Sequence, residues 1–251
     1  MIKAAIEYVR ELSDDASRPL FEVVAGRPFK VHPDGSTEPL LEPSAPPMVV
    51  HSLEGLVDYA GIGLDEVGLE GGEFPNGLVV QIFGPRDVRL VSHIFGPHRQ
   101  RDAYARATPA DGDRFAFGKY MDPETFVVAL SSQFEAAGDR ADVLATVGNL
   151  RDEAVRSLSD DGVTQRASVR TGLAKIEEVE IKNPVALQPF RTFADVEQPS
   201  GLFVLRMRGG GEGKPPSIAL FEVDDGKWRQ EAISRIRAYF VEHLESIPVI
   251  G

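Results

Sequence analysis

The sequence predicts an α+β fold, a mostly antiparallel β-sheet with amphipathic helices packed on it. From about Leu144 onward, apolar residues recur at every second position through a series of short segments, the period of a strand with one buried face. The closing run WRQEAISRIRAYFVEHL instead carries Trp228, Ala232, Ile233, Ile236, Phe240 and Leu244 at helical spacing, a stripe suited to lying on a sheet. Finally, 24 Gly and 18 Pro in 251 residues supply the turns that many short strands require.

The elements follow in order. IKAAIEYVREL places Ile2, Ala5, Ile6, Val9 and Leu12 on one side of a short amphipathic helix. A strand-like FEVV comes next. The proline-studded passage 39–47, PLLEPSAPP, cannot be a helix interior and reads as a surface connection or short linker. In HSLEGLVDYAG, Ser52 is placed to cap a helix that buries Leu53, Leu56, Val57 and Ala60, with Gly61 able to end it. GLVVQIFGP and VRLVSHIFGP read as paired strands with turn-forming ends. The tetrapeptide they share, at 82–85 and 94–97, fits a common strand-to-turn solution as well as a duplication. Asp122 caps a further helix, Pro123 suits its first position, Phe126, Val127, Leu130 and Phe134 share a face, and Gly138 would stop it. Strands are then expected at VLATVGNL, EAVRSL, VTQRASVR, KIEEVEI, PVALQPFRTF, LFVLRMR and SIALFEV. The whole, 1–251, is expected to form one compact α+β unit or two closely packed halves. The halves would be a mixed 1–140 and a β-rich 141–251 that ends in the helix.

At this length folding buries roughly 70–75% of the unfolded chain's surface, so no covalent staple is needed. The chain has no cysteine, which excludes disulfides, thiolate metal sites and a cysteine nucleophile. With no secretory signal or membrane-length apolar run, a reducing cytoplasm is expected. A formal charge of −12 repels phosphate backbones at long range and disfavours nucleic acid as a partner, unless a local basic patch overcomes it.

The adjacent acids of SLSDDGVTQRASVRTG, Asp160 and Asp161, stand before a glycine between two alternating runs, a hairpin corner rather than a catalytic pair. The same tripeptide recurs at Asp224, Asp225 and Gly226, again between a strand and the next element. RMRGGGEGKPPS is not a phosphate loop. Arg208 stands where the first glycine should be and Pro215 where the hydroxyl should be, so a hairpin loop is the better reading. No calcium loop, serine elbow, metalloprotease helix or dinucleotide fingerprint is present, and no cofactor is expected.

The candidate binding residues lie in RDVRLVSHIFGPHRQRDAYAR. Arg86, Arg89, Arg99, Arg101 and Arg106, with His93 and His98, stand there against only Asp87 and Asp102. Arginine forks match the oxygens of phosphate or carboxylate, so Arg86, Arg89, His93, His98, Arg99 and Arg101 are the expected lining of an anion site. The alternative is a solvated strand surface balanced by nearby acids. His93 and His98, five apart across a Gly-Pro turn, make no metal pair.

The blocks ATVGNL, SLSDDGVTQRASVRTG, NPVALQPFRTFADVEQP with FVLRMR, and IALFEVDDGKWR, in this order over about residues 144–240, resemble the YfdQ-like proteins of phages and prophages, a family of unknown function. The resemblance implies a phage or prophage origin and a cytoplasmic location in the bacterial host, and it supplies no catalytic residue. The GGGEGKPP stretch departs from the family pattern at what reads as a hairpin tip. Together these features favour a non-enzymatic binding protein, expected as a homo-oligomer, that captures a small anionic ligand such as a nucleotide-derived defence signal. The alternatives are an accessory DNA-binding protein of recombination or replication, and a hydrolase of a phosphorylated ligand using Asp160, Asp161 or His98.

Overall fold

The computed structural model describes residues 2–17, 20–24, 26–32, 34–41, 44–63, 74, 76–110, 112, 114–152, 155–160, 165–171, 175–209 and 216–251. Helix α1 (Ile2–Ser17) precedes strands β1 (Leu20–Val24), β2 (Arg27–Val31) and β3 (Thr37–Pro39). Then come β4 (Met48–Val50), α2 (Leu53–Ile62), β5 (Val79–Gly84), β6 (Asp87–Val91) and β7 (Ala103–Ala107). Helices α3 (Pro123–Ser132) and α4 (Arg140–Asp152) lead to β8 (Val155–Asp160), β9 (Gln165–Thr171) and β10 (Lys175–Ile181). The chain continues through β11 (Val185–Leu187), β12 (Gly201–Arg208), β13 (Ser217–Glu222), α5 (Trp228–His243) and β14 (Val249–Ile250). This is the expected α+β fold. Three sheets are antiparallel, in the orders β1-β2-β3, β10-β9-β8 and β11-β12-β13. The fourth is mixed, β14-β5-β6-β7-β4, with parallel pairing only at its two edges.

Among the described residues two hydrophobic cores form, one under the β11-β12-β13 sheet and one under the mixed sheet. In the first, β12 alternates strictly, sending Phe203, Leu205 and Met207 inward with Val185, Leu187, Ile218 and Leu220 of its neighbours. They meet Phe126 and Leu130 of α3, Val143 and Val147 of α4, and the rings of Phe115 and Phe134. In the second, Val80, Ile82, Val88, Leu90, Ala105 and Ala107 cover one face of the five-stranded sheet. On them lie Leu53 and Leu56 of α2, Ile236 and Phe240 of α5, and Phe193. Ile236 and Phe240 of the stripe expected on the closing helix are thus buried against a sheet built largely from residues 79–107, with Ile233 and Leu244 partly buried beside them, while Trp228 lies against Arg191 instead.

Both foreseen caps are present. Ser52 Oγ accepts from Gly55 N at 3.0 Å, and Asp122 Oδ1 accepts from Thr125 N at 3.0 Å while Oδ2 accepts from the Thr125 hydroxyl at 2.6 Å. The Thr125 hydrogen bonds hold the Asp122 carboxyl below the usual carboxylate range. Asp122→Ala should therefore cost about 0.5–2 kcal/mol of stability, read as a lower urea midpoint at unchanged slope.

Four expectations need correction. Residues 143–150, expected as a strand, belong to α4. Val143, Leu144 and Val147 all pack on the first core, a spacing that a helix satisfies and a strand, which sends neighbours to opposite faces, does not. The strand expected through PFRTF ends at Leu187, because the backbone amides of Arg191 and Thr192 donate to Gln198 Oε1 at 2.8 and 3.1 Å instead of to a neighbouring strand. α2 runs past Gly61 and stops at Gly63, whose φ of 92° suits glycine. Finally, α3 ends at Ser132. Gly138 lies beyond it at φ 60°, where a Cβ would stand 2.4 Å from the Ala186 carbonyl oxygen.

The second carboxylate tripeptide occupies a turn, and the first begins at the end of β8. β8 and β9 pair antiparallel with Asp160 opposite Gln165, as a hairpin requires, while the corner 161–164 is outside the described residues. β12 and β13 likewise pair across residues 210–215, which are also outside them. At the second tripeptide Asp225 and Gly226 take φ of 48° and 78°, and Lys227 N donates to Asp224 O at 3.2 Å, a turn that starts α5. No helix is long and apolar enough to cross a membrane among the described residues.

Candidate anion-binding face of the five-stranded sheet

Alternation along β6 decides which basic residues can meet. Val88 and Leu90 point into the second core, so Asp87 and Arg89 stand on the opposite face. The register then carries a row across all five strands: Ile250 beside Gln81, Gln81 beside Arg89, Arg89 beside Arg106, and Arg106 beside Val49. Arg106 Nε and Nη2 donate to Asp87 Oδ1 and Oδ2, both at 2.9 Å. Arg89 Nη2 donates to Oδ2 at 2.9 Å and its Nε to Oδ1 at 3.3 Å. Burial acts to raise the pKa of Asp87, but the two forks outweigh it and hold the carboxyl below its usual range. The same hydrogen bond from Arg89 raises that guanidinium's pKa.

One carboxylate thus serves two guanidinium groups, and the cluster keeps a net positive charge on a chain whose total is −12. Next to it Phe83 is 64% exposed, with the Arg89 guanidinium 4.5 Å from its ring centroid. Arg86 is half-buried in the turn between β5 and β6. Thr192 Oγ1 donates to the Pro85 carbonyl of that turn, tying it to the segment after β11. An anion arriving here would meet arginine forks already oriented by Asp87 and a flat apolar ring beside them.

The other predicted site residues lie beyond the far end of β6, which is about 14 Å long. Arg101 Nη1 donates to the Ser92 carbonyl at 2.6 Å. His98 Nε2 donates to the Pro28 carbonyl at 2.9 Å, a bond that fixes its tautomer, and its ring meets Phe29 edge-on. Arg99, at φ 54°, and His93 are exposed around the turn that follows. The sequence island is therefore two groups. Arg89 and Arg106 meet at Asp87 with Arg86 in the adjoining turn, while His93, His98, Arg99 and Arg101 surround the turn that docks on β2.

A third cation gave no sequence signal beyond the phenylalanines around it. Arg191 is 7% exposed, and its guanidinium lies 5.4, 5.0 and 4.9 Å from the ring centroids of Phe117, Phe203 and Trp228. Its Nη1 donates to Glu222 Oε1 at 2.7 Å, while Nε and Nη2 are buried without a hydrogen-bond partner. Burial pushes its pKa down, opposed by Glu222 and Asp224. The arginine stands between the first core and the start of α5, enclosed by rings and already paired, in the position of a structural cation rather than a ligand-facing one. Among the described residues no three metal-ligating side chains gather.

Compared with family models, curated proteins and solved structures, the chain matches none.

Proposed function

We propose that the protein is a non-enzymatic binder of a small anionic ligand with a planar ring, of nucleotide-like chemistry, held on the exposed face of the five-stranded sheet. The observation that carries this reading is the pair of cross-strand guanidinium groups sharing Asp87 beside exposed Phe83. The Nη1 groups of Arg89 and Arg106, which make no bond to Asp87, would take phosphate oxygens, Phe83 would stack on the ring, and Gln81, next in the row, offers a side-chain amide for polar contacts. The resemblance to phage proteins adds that such a ligand would be a host signal and that the protein works in the bacterial cytoplasm. Sequestration would then need only affinity and abundance. Nothing in the face supports the hydrolase reading: His98 lies at the other end of β6 with its Nε2 committed to Pro28.

Calorimetry against a panel of nucleoside mono-, di- and cyclic phosphates, with inorganic phosphate as control, tests the reading. At least one nucleotide should bind, and Arg89→Ala or Arg106→Ala should weaken it about tenfold or more. Asp87→Asn should tighten it by freeing both forks, while lowering stability. Absence of binding across the panel, or binding indifferent to Arg89 and Arg106, would overturn the proposal. A salt-dependent mobility shift with single-stranded DNA, abolished by the same variants, would reassign the face to nucleic acid.

A further inference from the structure

The cluster at Asp87 bears on how much negative charge a ligand of the open sheet face can carry. Asp87 accepts from Nε and Nη2 of Arg89 at 3.3 and 2.9 Å, and from the same two atoms of Arg106, both at 2.9 Å. Each guanidinium has therefore committed one edge to the carboxylate. An arriving anion meets the two Nη1 groups, carried by residues that stand opposite each other on paired strands. Two cations and one anion leave a single positive charge. Arg86, in the adjoining turn, has an interaction of its own and is not a free fork.

A nucleotide presents phosphate in two forms. A terminal phosphate, a monoester, carries about −1.5 to −2 at neutral pH and three terminal oxygens. A diester, with phosphorus bonded to two alkoxy oxygens, carries one negative charge and two free oxygens. The diester matches the cluster in both respects, with two oxygens for two Nη1 groups and one charge for one. For the monoester, a third oxygen finds no further Nη1, and the second charge is brought close to the Asp87 carboxylate, which repels it. Desolvation also weighs against the monoester, because its cost rises with the square of the charge while attraction to the cluster rises only in proportion. The surroundings do not compensate. Ile250 and Val49, at the two ends of the row, are 61% and 57% exposed, and their side chains carry no donor. The chain's total of −12 repels a dianion twice as strongly as a monoanion.

We infer that this face selects a phosphodiester, the linkage within a cyclic nucleotide, over the terminal phosphate of an ordinary nucleotide; the inference rests on the nucleotide-binding reading above. The same linkage joins the units of a nucleic-acid strand, but a strand would lay many further charges along an acidic chain, so the cyclic compound is the expected source. Calorimetry on the full chain compares a nucleoside monophosphate, its methyl diester, the cyclic monophosphate and a short single-stranded oligonucleotide. The methyl cap changes the charge and leaves base and sugar as they were, so it separates charge from ring closure. Both small diesters should bind about tenfold more tightly than the monoester. Asp87→Asn adds one positive charge to the cluster and should narrow that preference to about threefold or less. The urea midpoint of the variant reports that its cores remain folded, and the wild-type comparison decides even where the variant is unstable. A monoester that binds as tightly as its diesters, or a preference that folded Asp87→Asn leaves unchanged, would overturn the inference while leaving the nucleotide reading in place. An oligonucleotide that binds more tightly than the cyclic compound would overturn the cyclic source. No binding by any of the four would overturn the nucleotide reading itself, and this inference with it.

Discussion

Phe203→Ala should cost about 3–5 kcal/mol, the range for removing a large aromatic ring from a close-packed interior. Phe203 is fully buried on the central strand of the β11-β12-β13 sheet, so no solvent can fill the void at low cost. Its ring stacks on Phe117 at 5.2 Å with the planes 14° apart and meets Phe134 at 6.5 Å, so truncation removes partners from both rings. It also takes one aromatic wall from Arg191. Phe203→Leu, which keeps most of the volume, should lose less than half as much. Urea unfolding followed by far-UV circular dichroism would read both, with the slope unchanged if the native and unfolded states keep their compactness. A loss below about 1 kcal/mol for the alanine variant would mean that the first core can collapse around the gap.

The second large effect concerns Arg191 and is asymmetric. Glu222→Gln should destabilise by about 3 kcal/mol, because it strips the charge partner from a cation that burial already disfavours. Arg191→Met should be close to neutral, and stabilising if the thioether fills the space between the three rings. The reason lies in the two guanidinium nitrogens that have no partner: the arginine is enclosed without full compensation, and its removal leaves Glu222 at the sheet margin where water can reach it. Asp224, which also stabilises the cation, sets an upper limit on the glutamine effect. Equal losses in both variants would instead show that the ion pair itself holds the two cores together.

The helix starts at Ser52 and Asp122 could be read from the sequence because a cap is a local event, a side chain reaching its own backbone three residues on. The strands flanking Asp160 were equally readable, since alternation and an Asp-Gly pair are local too. The region 143–150 was misread because Val143, Thr146 and Val147 suit a strand, and only the packed neighbours Val143 and Leu144 show that the period is helical. For the candidate site, charge density along the chain marked the stretch but not its division in space. Register alone brings Arg106 beside Arg89, and a turn alone carries Arg99 and Arg101 away. Arg191 was out of reach, because what makes it unusual is a three-ring enclosure assembled from residues 117, 203 and 228.

The mixed sheet places β14 (Val249–Ile250) against β5 (Val79–Gly84), strands made far apart in time during synthesis. At translation speeds of about 5–20 residues per second, β5 would wait roughly 10–30 s for that neighbour. Through this interval Val80 and Ile82 would also lack the helix that covers them, α5, which is itself late. The nascent chain therefore carries a sticky, half-built sheet through that interval, and expression at low temperature or with abundant chaperones should raise its soluble yield.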